Sequence, residues 1–184
     1  SIAALIELLS SEMARVNTTL LDRMDSKVPL VPQLAGHLIA SGGKRMRPMM
    51  TIAGAMLGSG DADSRAPAVK LATAVEFIHS ATLLHDDVID ESKLRRGQNT
   101  ANALWGNDAS VLVGDFLFAR AFELMVEAGD MAVLGRLAAA AARITEGEIL
   151  QMTITGQPDT PLADYLDVIG GKTAVLFAAA AAAG

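Results

Sequence analysis

The chain has 184 residues, 51% hydrophobic and 20% charged, enough for one domain with a sizeable core. A net charge of −6 excludes general nucleic-acid binding, so any basic residues that bind anions must act as local clusters. The absence of cysteine excludes disulfides and thiolate metal sites, and fits a reducing, cytoplasmic setting.

Alanine is abundant and aromatics make up 4%, which favours helices packed through small residues. Residues 2–21 place Ile2, Leu5, Ile6, Leu9, Met13, Val16 and Leu20 at helical spacing, so one amphipathic first helix is expected. Pro29 and Pro32 punctuate the chain, and Pro32 can sit in the first turn of a short helix running to Ile39. Then comes Ser41-Gly42-Gly43-Lys44-Arg45-Met46-Arg47-Pro48. A glycine-freed loop with three cations, feeding a helix at Pro48, suits an anion, with Lys44 and Arg47 converging on one diphosphate. Alone, it reads more readily as a solvated basic turn, and the acidic helix further on reverses that order. Residues 48–57 read as a buried Met- and Ala-rich helix, and residues 58–61 as a loop.

Pro67 opens a long apolar helix that ends in His79-Ser-Ala-Thr-Leu-Leu-His85-Asp86-Asp87-Val-Ile-Asp90. At about 100° per residue, Asp86 and Asp90 share one helix face, and His79 falls within roughly 20° of that stripe. Stacked carboxylates repel, and a bound cation relieves the repulsion. A hard, oxygen-seeking ion such as Mg²⁺ fits, since it takes one or two protein carboxylates and completes its shell with water and phosphate oxygens. Arg95 and Arg96 follow directly, as fork-shaped phosphate donors. His85 points about 100° off the stripe and reads as structural, and His37 has no evident partner.

Beyond Gly97, a short helix ends near Gly106, and Asn107 or Asp108 is placed to cap a helix through Glu127. Gly129-Asp130 breaks the pattern before a helix to about Ile154. In it, Ala138 to Ala142 form a packing face, and Glu146, Glu148 and Gln151 could face solvent or a cavity, with solvent slightly favoured. Residues 156–159 form a loop, and Thr160-Pro161 with Asp164 resembles a capped helix start. Gly170-Gly171 within the last helical pattern predicts a kink that turns Lys172 and Thr173 into a cavity. No sustained period-two alternation is present, so the fold class is all-α. No uncharged apolar run reaches the roughly 18–20 residues of a transmembrane segment. The chain ends on a still-apolar stretch, so it reads as a single domain over 1–184 that is C-terminally incomplete.

Four motifs, Gly-Gly-Lys-Arg-Met-Arg-Pro at 42–48, Phe-Ile-His-Ser-Ala-Thr-Leu-Leu-His-Asp-Asp-Val-Ile-Asp-Glu-Ser at 77–92, Arg-Arg-Gly at 95–97 and Gly-Lys-Thr at 171–173, resemble in order and spacing the trans-polyprenyl diphosphate synthases. Within that family the likeness is to the long-chain bacterial type that makes quinone side chains. The resemblance covers essentially the whole chain and implies an isoprenoid-synthase-type helical bundle around a deep central cavity, usually a homodimer. It implies that Lys44, Arg47, His79 and Arg96 hold the diphosphate of isopentenyl diphosphate. Asp86 and Asp90 then bind Mg²⁺ with Asp87 in support, and Arg95, Lys172 and Thr173 hold the allylic diphosphate. The implied catalytic residues are Asp86, Asp87, Asp90 and Lys172. The small Ala81 and Thr82 leave the product tunnel open, which implies a long-chain product, and its release implies peripheral membrane contact. The family carries a second Asp-rich motif further on. Asp108, Asp115, Asp130, Asp159, Asp164 and Asp167 do not form one. Two rival readings are a non-catalytic or regulatory subunit of a heteromeric synthase and a class I terpene cyclase. The cationic loop at 42–47 argues against a cyclase, which has no second diphosphate to hold.

Overall fold

The first apolar stripe folds as two helices rather than one. In the computed structural model, which describes residues 2–40, 43–58 and 65–184, α1 (Ile2–Leu8) and α2 (Ser10–Arg23) meet at Leu9. Leu9 N still donates to Leu5 O, and Leu9 O still accepts from Met13 N. No i→i−4 bond from Ser10, Ser11 or Glu12 crosses the junction, so the helical ladder is interrupted there, and the Leu9 side chain is buried. α3 (Leu30–Ala40) and α4 (Met46–Gly58) follow. Gly42 of the basic loop, and residues 59–61 of the next loop, lie outside the described residues.

The long helix expected from Pro67 is α5 (Ala66–Ile89), 24 residues and roughly 36 Å long. Residues 71–78 are all buried, as a helix apolar on every side must be at the centre of a core. It packs mainly on α7 (Asn107–Ala128), and also on α2 and α4. Between α5 and α7 lies a feature that the all-helical reading missed. Leu94–Arg95 (β1) pairs antiparallel with Gln98–Asn99 (β2), followed by α6 (Ala101–Trp105). Arg96 and Gly97 turn the ribbon at φ 53° and 79°, the left-handed pair of a tight hairpin turn. A two-residue strand is too short to leave an alternating pattern in sequence.

α8 (Met131–Ile154) starts on a true cap, with Asp130 Oδ1 accepting from Ala132 N and Val133 N. The two caps expected from the sequence are absent. Gly106 occupies the cap position of α7, and Pro161 that of α9 (Leu162–Ile169), where the Thr160 hydroxyl donates to Gln157 O instead. The kink expected at Gly170-Gly171 is a π-helical turn, Gly170–Ala174, leading into α10 (Val175–Ala183). Leu162–Ala183 thus forms 22 helical residues, long and apolar enough to cross a membrane by length and composition alone. Counting only uncharged runs overlooked this stretch. Here it packs within the bundle, against α8 and α4, and Asp167 and Lys172 on it pair with Arg143 and Glu148 of α8.

Candidate active site

The last turn of α5 carries the acids. Asp90 caps the helix and its N–H donates to Asp86 O at 2.8 Å, so the two stay one turn apart as the spacing predicts. Asp86 is largely buried, and Asp90 is exposed. Asp87 faces the other way. It is 2% exposed and accepts from Arg95 Nη2 at 2.8 Å and Arg95 Nε at 3.1 Å. A carboxylate engaged in this way serves to hold Arg95. Asn102 Nδ2 donates to the carbonyls of Asp87 and Ser92, tying α6 to the same turn.

Facing Asp86 is a group for which the sequence leaves both solvent and a cavity open, with solvent slightly favoured. Glu148 is buried, with Oε2 2.7 Å from Lys172 Nζ. That contact is an ion pair off the direction of a hydrogen bond, so the buried oxygen has no aligned donor. Lys172 Nζ also donates to Gln151 Oε1 at 3.2 Å and lies 4.0 Å from Asp86 Oδ2. Glu146 does face solvent, paired with Arg143. Glycines allow this approach. A Cβ on Gly147 would lie 2.8 Å from Lys172 N, and Gly171 lies directly against Gly147, so α8 and the π-turn touch backbone to backbone. Burial, followed by the charges of Glu148 and Asp90, pushes the Asp86 carboxyl up to about 6, against the pull of Lys172 and Arg95.

The excess negative charge and the oxygen-only donors suit a hard divalent cation. Among the described residues no three ligating side chains cluster, so the protein supplies a partial shell that water and phosphate oxygens would complete. Asp86 and Asp90 could hold such an ion.

Two turns back along α5, a cavity of about 510 Å³ gathers the cations. Lys44, Arg45 and Arg47 from the α4 entry, Arg95 and Arg96 from the ribbon, and His79 and Glu76 from α5 line it. The Arg47 guanidinium stacks 4.2 Å from the centre of the Phe177 ring, and its buried Nε has no hydrogen-bond partner. Burial lowers the pKa of Arg47. Burial first, then Arg47, Arg95, Arg96 and Arg45, push His79 down to about 3, so it meets a ligand as a neutral hydrogen-bonding ring. The structure therefore brings together all four residues of the expected isopentenyl diphosphate set. It places Arg95, assigned to the allylic set, on the wall of the same cavity.

The remaining site expectations resolve individually. Lys172 turns inward at the π-turn as expected, whereas Thr173 is exposed. Ala81 is fully buried in the core, and half-buried Thr82 donates to His79 O at 2.8 Å; neither lines the basic cavity. His85 is structural, with Nε2 3.1 Å from Val111 O and 3.5 Å from Asp115 Oδ1. His37 Nε2 lies 2.8 Å from Asn99 O, which ties α3 to the ribbon. Sequence reasoning missed Glu148, Gln151, Glu76 and Phe177. Their one signal was polarity, or a lone aromatic, inside strongly apolar helices.

Residues 28–184 match the polyprenyl synthetase family model. The chain belongs to the polyprenyl synthetase family. It is 46% identical over 175 residues to octaprenyl diphosphate synthase of Escherichia coli K12, covering 95% of this chain and 53% of that protein. The crystal structure of a polyprenyl synthase from Caulobacter crescentus CB15, complexed with calcium and isoprenyl diphosphate, superposes with a TM-score of 0.95. The identity is 55%, over 100% of this chain and 55% of that one. A decaprenyl diphosphate synthase from Rhodobacter capsulatus gives a TM-score of 0.93 at 52% identity, covering 98% and 55%. The chain spans about half the length of the curated relatives it matches. The isoprenoid-synthase helical fold expected from the motifs is thereby established.

Proposed function

We propose that the protein is a Mg²⁺-dependent prenyltransferase that joins isopentenyl diphosphate head-to-tail to an allylic prenyl diphosphate, giving a long-chain all-trans product. One observation carries this reading: Lys44, Arg47, His79 and Arg96 converge on a cavity where buried Arg47 Nε lacks an acceptor, two helical turns from the acids of the same helix. A buried, unpaired guanidinium donor calls for an anion. Lys44, Arg47, Arg96 and neutral His79 bind the diphosphate of isopentenyl diphosphate and orient its double bond. Lys172 and Arg95, with Thr173 beside them, face the allylic diphosphate and stabilise it as it departs. Asp86 and Asp90 would hold Mg²⁺, which would supply positive charge to neutralise the leaving diphosphate. The double bond attacks the allylic cation left as the diphosphate departs, and that diphosphate takes the proton whose loss restores an alkene. The apolar walls from α5 and α10 keep water from the cation.

The calcium and isoprenyl diphosphate named for the Caulobacter structure support a divalent ion beside a diphosphate. The names of the octaprenyl and decaprenyl relatives support a long product, and the small, half-buried Thr82 is consistent with it. A homodimer, a cytoplasmic setting and peripheral membrane contact on release belong to the same proposal. The test incubates the full-length protein with Mg²⁺, farnesyl diphosphate and labelled isopentenyl diphosphate and sizes the products. Long prenyl chains are expected, and Asp86→Ala should cut turnover by orders of magnitude. A full-length wild type that makes no product points instead to a non-catalytic subunit. Near-normal turnover by Asp86→Ala removes the metal role.

A further inference from the structure

We infer that Glu76 is a positioning residue for the basic cavity: it clamps Arg45, and with it the turn that aims Lys44 and Arg47 at a bound anion. The inference rests on the cavity being a diphosphate site. Glu76 lies in the middle of α5, three residues before His79, with its side chain 8% exposed. Burying a carboxylate there is costly unless it is paired. Its partner is Arg45, whose Nη1 donates to Glu76 Oε1.

Arg45 is itself unusual. Its backbone sits at φ 48°, a left-handed conformation that a non-glycine residue adopts only when its surroundings enforce it. Arg45 O accepts the bond from Met49 N that opens α4. The ion pair therefore ties the entry of α4 to the centre of α5 and fixes the strained turn between Lys44 and Arg47. With its guanidinium engaged by Glu76, Arg45 serves as a fixed post, while the buried Arg47 Nε next to it is left without a protein partner. Among the described residues that line the cavity, Glu76 is also the one carboxylate, set beside the cations Lys44, Arg45, Arg47, Arg95 and Arg96. In the free protein it offsets their mutual repulsion.

The test titrates full-length protein with isopentenyl diphosphate alone, which has no partner to react with, and then measures both substrates kinetically. Glu76→Gln keeps the size and removes the charge. Affinity should fall at least about tenfold, as expected for loss of a charged hydrogen-bonded anchor. The KM for isopentenyl diphosphate should rise in parallel, while the KM for the allylic substrate stays within about twofold. A general structural lesion would move both. Arg45→Gln should reproduce the defect, and the double variant should be no worse than the poorer single one, because all three break the same pair. If Glu76→Gln fails to fold, Arg45→Gln carries the test. Wild-type affinity in Arg45→Gln, wild-type affinity in a folded Glu76→Gln, or a joint rise of both KM values overturns the inference. A wild type that binds no isopentenyl diphosphate overturns the reading of the cavity, and the inference falls with it.

Discussion

Asp86 is held in a state that favours a ligand over the empty fold, and this can be measured as stability. Its carboxyl is pushed from 3.8 to about 6 by burial and by the charges of Glu148 and Asp90. A raised folded-state value means that the native protein binds a proton more tightly than the unfolded chain. The associated stability is fully present below pH 3.8 and is lost as pH rises through about 6. Above that window the ionised group costs roughly 1–3 kcal/mol, taking about 1.4 kcal/mol per pH unit and allowing for its partial exposure. Asp86→Asn keeps the shape and removes the charge. In chelator-treated full-length protein at pH 7.5, urea unfolding should show the variant more stable by that amount, roughly 3–10 °C in Tm. Near pH 4 the two proteins should converge. Addition of Mg²⁺ with inorganic diphosphate should stabilise wild type more than Asp86→Asn, in which the basic cavity alone still takes the anion. A variant no more stable than wild type at pH 7.5 without metal would refute the reasoning, because Asp86 would then carry no electrostatic burden.

The Asp87–Arg95 pair should break asymmetrically. Arg95→Met strands a carboxylate that is only 3% exposed and should cost about 3–5 kcal/mol, whereas Asp87→Asn leaves a half-buried arginine that can reach water and should cost clearly less; equal losses in urea melts would contradict this. Gly147→Ala places a methyl 2.8 Å from Lys172 N, so overpacking should cost about 1–3 kcal/mol and weaken binding of the allylic diphosphate without affecting isopentenyl diphosphate; titration with each substrate separates the two. Thr82→Phe, at a half-buried position, should shorten the product at little cost in stability, whereas Ala81→Phe enters a packed core and should destabilise the fold; an unchanged product length in Thr82→Phe counts against the tunnel reading.

What the sequence determined by itself is what short-range periodicity encodes. The register of Asp86, Asp90 and His79 on one helix and the Pro67 start of α5 depend on neighbours a few residues away, and the structure keeps both. The order of the four motifs carried the family. Tertiary structure alone decided which polar groups face which wall. Glu148 sits on a helix whose pattern allows solvent or cavity, and only the backbone contact between Gly147 and Gly171 turns it onto Lys172 and Asp86. Asp87 and Arg95 are eight residues apart, yet a two-residue ribbon with no sequence signature folds them into an ion pair. Glu76 found Arg45 across 31 positions. Burial and charge pairing are properties of the assembled bundle, and no local pattern carries them.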